Sequence, residues 1–175
     1  MRPFTILAAV LVAGGLPLAT TADPRAADAA GIDRSFVIGS AGVFALLDDY
    51  GHPLLGGLQY RGTPRTGWAL RPGVGLLAGE GGMTYLFADL AHDFALPQQW
   101  VATLSLGFGW FDDGDSIDVV DAREFQTVLA VSRRLANGAR VGISASHVSN
   151  ASLSSPNKGT ETLALFVAVP VRRGR

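Results

Sequence analysis

His147 and Ser149 stand two residues apart in this 175-residue chain, and Glu161 follows after a short polar stretch. On a β-strand, residues i and i+2 point to one face with Cα atoms about 6.5–7 Å apart. If residues 139–149 and 160–171 are two strands of a hairpin centred near Ser154, His147 falls directly opposite Glu161, with Cβ atoms about 4.5–5.5 Å apart. A carboxylate on one side of an imidazole and a hydroxyl on the other is the arrangement that activates a serine. Glu161 would orient His147 and stabilise its protonated form, His147 would take the Ser149 proton, and Ser149 would attack an acyl carbonyl. A His-x-Ser pair alone is commonplace, and a Glu at a strand start is usually just solvated. The reading rests on three residues sharing one face and one level.

The elements that must position these residues are strands. Past residue 34, apolar segments of about 8–11 residues recur between turn residues, as in membrane barrels. They cover 35–47, 53–61, 67–77, 82–93, 100–110, 123–134, 139–149 and 160–171. The breaks carry Asp48-Asp49-Tyr50-Gly51, Gly62-Thr63-Pro64, Gly79-Glu80-Gly81, Leu96-Pro97, Asp112-Asp113-Gly114-Asp115, Asn137-Gly138 and Ser155-Pro156-Asn157. Such clusters end strands because they supply positive φ or remove a ladder donor. Eight strands are an even number and the smallest that closes a transmembrane barrel. With both termini on the periplasmic side, connections 2–3, 4–5 and 6–7 would be periplasmic and the other four external.

Alternation separates the faces. Trp100, Ala102, Leu104, Leu106, Phe108 and Trp110 alternate with Val101, Thr103, Ser105, Gly107 and Gly109. Val141, Ile143 and Ala145 alternate with Gly142, Ser144 and Ser146. Leu163, Leu165, Val167 and Val169 alternate with Thr162, Ala164, Phe166 and Ala168. One face is large and apolar, the other smaller and partly polar, as a lipid-facing exterior and a packed interior require. A soluble lipocalin-like barrel, with aromatics lining a ligand cavity, is the alternative. Trp100 and Trp110 favour the membrane: they cap one apolar face across a rise of roughly 25 Å, the height of the outer-membrane apolar band. The fold class read from the chain is therefore all-β, an eight-stranded antiparallel transmembrane β-barrel. His147, Ser149 and Glu161 share parity with its lipid face, where polar side chains are expensive.

Composition narrows the partners. Apolar residues make up 48% and charged ones 17%, with 22 glycines and a formal net charge of −1. That leaves no basic field for nucleic acid. Cysteine is absent, which removes disulfides, thiolate metal sites and a Cys nucleophile. His52, His92 and His147 lack metal-ligand spacing, and the Asp112–Asp118 stretch lacks the EF-hand order, so it reads as a solvated external loop. No Gly-x-Ser-x-Gly elbow and no phosphate loop occur. The chain implies no metal and no cofactor, and no interface signal fixes an oligomeric state. At the N-terminus, Arg2 precedes an almost wholly apolar or small stretch from Ile6 to Leu18, then Ala19-Thr20-Thr21-Ala22. This is the layout of a signal peptide over 1–22, cleaved between Ala19 and about Ala30. A lead-in over 23–34, the barrel over 35–171 and a basic tail over 172–175 complete the expected organisation.

The run His147-Val148-Ser149-Asn150-Ala151, with Pro156-Asn157-Lys158-Gly159-Thr160-Glu161 after it, resembles the outer-membrane lipid A 3-O-deacylases of PagL type. The likeness is sharpest over 139–169 and weaker from about Trp68, at Pro72-Gly73-Val74-Gly75 and Gly107-Phe108-Gly109. It implies a cell outer membrane location, outer-membrane lipids around the barrel, and lipid A of lipopolysaccharide as substrate. The reaction implied is removal of the ester-linked 3-hydroxyacyl chain at position 3 by a Ser–His–Glu triad of Ser149, His147 and Glu161. Asn157 is the first oxyanion-hole candidate and Asn150 a weaker one, although Asn157 beside Pro156 also suits a turn. The chain ends Val171-Arg172-Arg173-Gly174-Arg175, not on the aromatic residue with which outer-membrane barrels commonly finish. The alternative to an enzyme is a non-catalytic eight-stranded outer-membrane barrel, an adhesin or envelope stabiliser carrying the motif as a remnant.

Overall fold

The structure, a computed structural model, describes residues 34–47, 51–65, 67–115, 122–155 and 159–171. The expected signal peptide, nearly all of the lead-in, the basic tail and Asn157 lie outside them. Eight strands follow in chain order: β1 (Phe36–Phe44), β2 (Leu54–Arg61), β3 (Arg71–Gly79), β4 (Thr84–Ala95), β5 (Trp100–Asp112), β6 (Arg123–Arg134), β7 (Arg140–Ser149) and β8 (Thr160–Pro170). Each pairs antiparallel with the next, and β8 returns to β1, so the sheet closes into an eight-stranded barrel. Closure leaves no strand edge, the condition for crossing lipid with strands.

Strand lengths and faces follow the alternation in the sequence. On β5, Trp100, Leu106, Phe108 and Trp110 are exposed, while Val101, Thr103 and Ser105 are buried. On β8, Leu163, Leu165, Val167 and Val169 face outward, and Thr162, Ala164 and Ala168 face the lumen. The exterior is a continuous apolar belt, the inverse of a soluble barrel, so the lipocalin-like alternative falls away.

Strand ends shift by a few residues from the expected segments, most at the start of the third. The third segment was expected from residue 67, but β3 begins at Arg71. Residues 67–69 form a turn closed by the Arg65–Leu70 bridge. Trp68 is 79% exposed there, and its carbonyl oxygen lies 3.0 Å from His92 Nδ1. Apolar residue type extended the expected strand; Ala69, with φ +53°, is where the extended backbone breaks. The 6–7 connection keeps its expected form. Gly138 takes φ +84°, and the Asn137 side chain accepts from the Ala139 amide at 3.0 Å.

The lumen is packed in layers. At the end where the 1–2, 3–4, 5–6 and 7–8 connections lie, Phe44, Leu55, Met83, Tyr85, Phe87, Phe111 and Val148 form a buried apolar cluster. At the opposite end Asp93 accepts from Arg140 at 2.8 Å and from Thr103 Oγ1 at 2.7 Å. Arg71 stands 3.6 Å from the same carboxylate, and both guanidiniums lie over the Phe36 ring. Between the two lies a polar layer in which Arg61 pairs with Asp89 at 2.8 Å. A lumen closed by aromatics at one end and an ion cluster at the other, with a cavity of about 100 Å³ between Asp89, Gln126, Ser144 and Phe166, is not an open pore.

Removing one partner of a buried ion cluster leaves uncompensated charge and typically costs about 3–5 kcal/mol. Asp93→Ala should accordingly lower the stability of the folded barrel by that order, read as a drop in the urea unfolding midpoint in vesicles.

Candidate active site

His147 and Ser149 are the last outward-facing residues of β7, and Glu161 is the first of β8. They lie on the exterior of the barrel, at the rim where the apolar belt gives way to the 7–8 connection. The hairpin register pairs His147 with Glu161, Val148 with Thr160 and Ala145 with Leu163. The centre at Ser154 expected from the sequence therefore holds, and parity does the rest.

His147 Nδ1 lies 3.0 Å from Glu161 Oε1. The two side chains are 39% and 21% exposed, so the pair is partly shielded yet reachable from outside. An imidazole held at Nδ1 by a carboxylate presents Nε2 as its free base position. On the β6 side, His147 is flanked by Thr127 and Ser149 by Phe125. Among the described residues the Ser149 hydroxyl makes no hydrogen bond. Contacts between a nucleophile and its base are often long until substrate packs against them.

The chain just beyond Ser149 is built tightly. Asn150 is fully buried. Its Oδ1 accepts from the Ser152 amide at 2.9 Å, and its Nδ2 donates to Ser154 Oγ at 2.8 Å. The Asn150 carbonyl also accepts from the Leu153 amide at 3.0 Å. Ala151 and Ser152 are both left-handed, with φ +51° and +65°, a conformation costing non-glycine residues roughly 1–2 kcal/mol each. The Asn150 amide thus holds the loop that sets the exit angle of β7, and an oxyanion contact from Nδ2 would require it to leave Ser154. This role was not legible from the motif; the Asx-turn habit of Asn before small residues was the available signal.

Phe125 is the other neighbour sequence reasoning passed over. Its ring lies 5.0 Å from that of Phe108, which in turn meets Trp110 edge-on at 6.1 Å. The site therefore borders an outward aromatic ledge. His52 and His92 lie apart from it, bonded to the carbonyl oxygens of Ala45 and Trp68. Among the described residues no group of three or more His, Asp or Glu side chains could hold a metal ion.

A closed barrel with an apolar outer belt belongs with the membrane-embedded β-barrels. The sequence profile of the lipid A 3-O-deacylases (PagL) matches residues 57–170, and the chain belongs to that family. It is an outer-membrane β-barrel. The lipid A deacylase PagL of Pseudomonas aeruginosa is 40% identical over 47 residues, a stretch spanning 27% of each chain. A crystal structure of the outer membrane enzyme PagL overlays 78% of this chain and 99% of its own, with TM-score 0.65 at 21% identity. Neisserial surface protein A overlays with TM-score 0.53 at 15% identity, covering 78% of this chain and 97% of its own. A designed transmembrane β-barrel overlays with TM-score 0.52, also at 15% identity, over 79% and 96%. Identities this low establish the fold alone.

Losing a buried, doubly bonded amide typically costs about 1–3 kcal/mol. Asn150→Ala should lower the unfolding midpoint accordingly and speed proteolytic nicking between Ala151 and Ser155. Unchanged nicking would remove Asn150 from its place as the loop's staple.

Proposed function

We propose that this protein hydrolyses the ester-linked 3-hydroxyacyl chain at position 3 of lipid A, with Ser149 as nucleophile, His147 as general base and Glu161 as its orienting carboxylate. The observation that carries the reading is the 3.0 Å contact between His147 Nδ1 and Glu161 Oε1, on the same outward face as Ser149. Buried in the lumen, such a pair would be one more structural ion pair. At the outer rim it neutralises no luminal charge, and ionisable side chains bordering an apolar belt are costly to keep.

The chemistry follows from that geometry. Ser149 Oγ attacks the ester carbonyl carbon while His147 takes its proton, and Glu161 stabilises the imidazolium that forms. The tetrahedral adduct collapses as His147 returns the proton to the sugar oxygen, which leaves as the free 3-hydroxyl. Water, deprotonated by His147, then cleaves the acyl-serine and releases the 3-hydroxy fatty acid. Charge on the carbonyl oxygen calls for an amide donor, each worth about 3–4 kcal/mol. Asn157 is the proposed side-chain donor, because Asn150 is engaged in the loop. The substrate is embedded in a leaflet, so an exterior rim site admits it laterally without extraction from the membrane. The sealed lumen leaves one competing use, a structural barrel without catalysis.

Mass spectrometry of lipid A after incubation with the folded protein should show loss of one 3-hydroxyacyl chain, and none with Ser149→Ala. From a demonstrably folded barrel, no mass change with the native sequence would favour the structural barrel. Glu161→Ala should lower kcat by about 10²–10⁴-fold, the usual share of general acid–base assistance. It should keep heat-modifiable barrel migration on a gel, because the residue lies at the rim.

A further inference from the structure

We propose that Gly159 is a positioning residue for His147, clamping the imidazole against Glu161 because it has no side chain. This rests on the reading of His147 as the general base. A Cβ built on Gly159 would stand 2.6 Å from His147 Cε1 and 3.0 Å from His147 Nε2, with the Val148 carbonyl oxygen also at 3.0 Å. Non-bonded carbons settle near 3.5–4.0 Å, so a side chain at 159 and the imidazole cannot both keep their places.

Backbone conformation does not explain this glycine. Gly51, Gly81, Gly82, Gly114 and Gly138 all take positive φ, where other residues are strained; Gly159 does not. Nor can the strand yield easily. The next residue, Thr160, is fully buried and paired with Val148, and Glu161 is paired with His147. The backbone at 159 is pinned from the C-terminal side, and the Val148 carbonyl blocks retreat toward β7. The group left to move is the ring, and its movement breaks the Nδ1–Glu161 contact. His147 is thus held by the Glu161 carboxylate at Nδ1 in a place that stays open because residue 159 carries no Cβ beside the Cε1–Nε2 edge.

Two cycles test this, one kinetic and one structural. Gly159→Ala should lower kcat by about tenfold to a hundredfold, as small misplacements of catalytic groups do, with KM within about twofold of the native value. In a Glu161→Ala background the same substitution should cost less than about twofold, because the contact it disturbs is already gone; coupled sites behave this way in double-mutant cycles. Gly39→Ala, where a Cβ meets nothing within 4 Å, should change neither kcat nor stability. For the structural cycle, Gly159→Ala should lower the urea midpoint with His147 present and leave it nearly unchanged in a His147→Ala background. Full kcat in Gly159→Ala, equal losses with and without Glu161, or a midpoint drop that ignores His147 would each overturn the clamp. A native protein without deacylase activity would instead overturn the proposed reaction, and the midpoint cycle would still decide whether Gly159 holds the ring.

Discussion

Lipid offers no hydrogen bonds, so every backbone N–H and C=O between the two interfaces must find a partner within the protein. Here that demand is met by the pairing of β8 with β1, which runs from Phe36 opposite Pro170 to Phe44 opposite Thr162. Without that last ladder the sheet would carry two bare edges through the membrane. Closure also assembles the surroundings of the site. It carries the start of the 1–2 connection next to β8, where the Leu46 amide donates to the Glu161 carbonyl oxygen at 3.1 Å. The strand that presents the carboxylate is therefore supported on both sides, by β7 and by the beginning of the next loop.

A closed small barrel gives each side chain only two destinations, and the two have opposite chemistry. The lumen takes the buried charges and neutralises them: Asp93 between Arg71 and Arg140, Asp89 with Arg61. It also takes the aromatics that seal the end nearest the site. The interior keeps a cavity of only about 100 Å³, so a large amphiphile could be met only on the outer wall. The His147–Glu161 pair lies at the outer rim, where the apolar belt ends and a side chain can reach interfacial water. The loop after Ser149 carries two left-handed residues held by one buried asparagine. Backbone strain over-determined by neighbouring contacts is common where geometry matters for function.

What could be read along the chain was whatever depends on residue type and spacing alone. The period of two along Trp100–Trp110 and Leu163–Val169 fixed the faces, because side chains on a strand alternate without exception. Turn residues bounded the segments to within a few positions, except where Trp68 and Leu70 suggested strand and a tight turn intervened. The opposition of His147 and Glu161 was also available, because a hairpin centred at Ser154 leaves one register that keeps both strands' apolar sets on the same side.

Three-dimensional closure decided the remainder. The Asp93 cluster joins β3, β4, β5 and β7; hairpin pairing sets Thr103 opposite Asp93, but no spacing rule brings Arg71 and Arg140 to them, and only the barrel's stagger does. The motif presents Asn150 as a possible donor to substrate; that its amide staples the loop is visible only in three dimensions. Gly159 carries no signal of its own in the sequence; in the structure the imidazole fills the space a side chain there would take. The sequence by itself determined which residues face lipid, how many strands close the barrel, and which three polar side chains share its outer rim, because these follow from a period of two, the tryptophans that cap one apolar face, and a count of turns. The tertiary structure alone decided how the histidine is held, because that depends on which atoms fill the ångströms around its ring, and close packing is a property of space that no linear pattern carries.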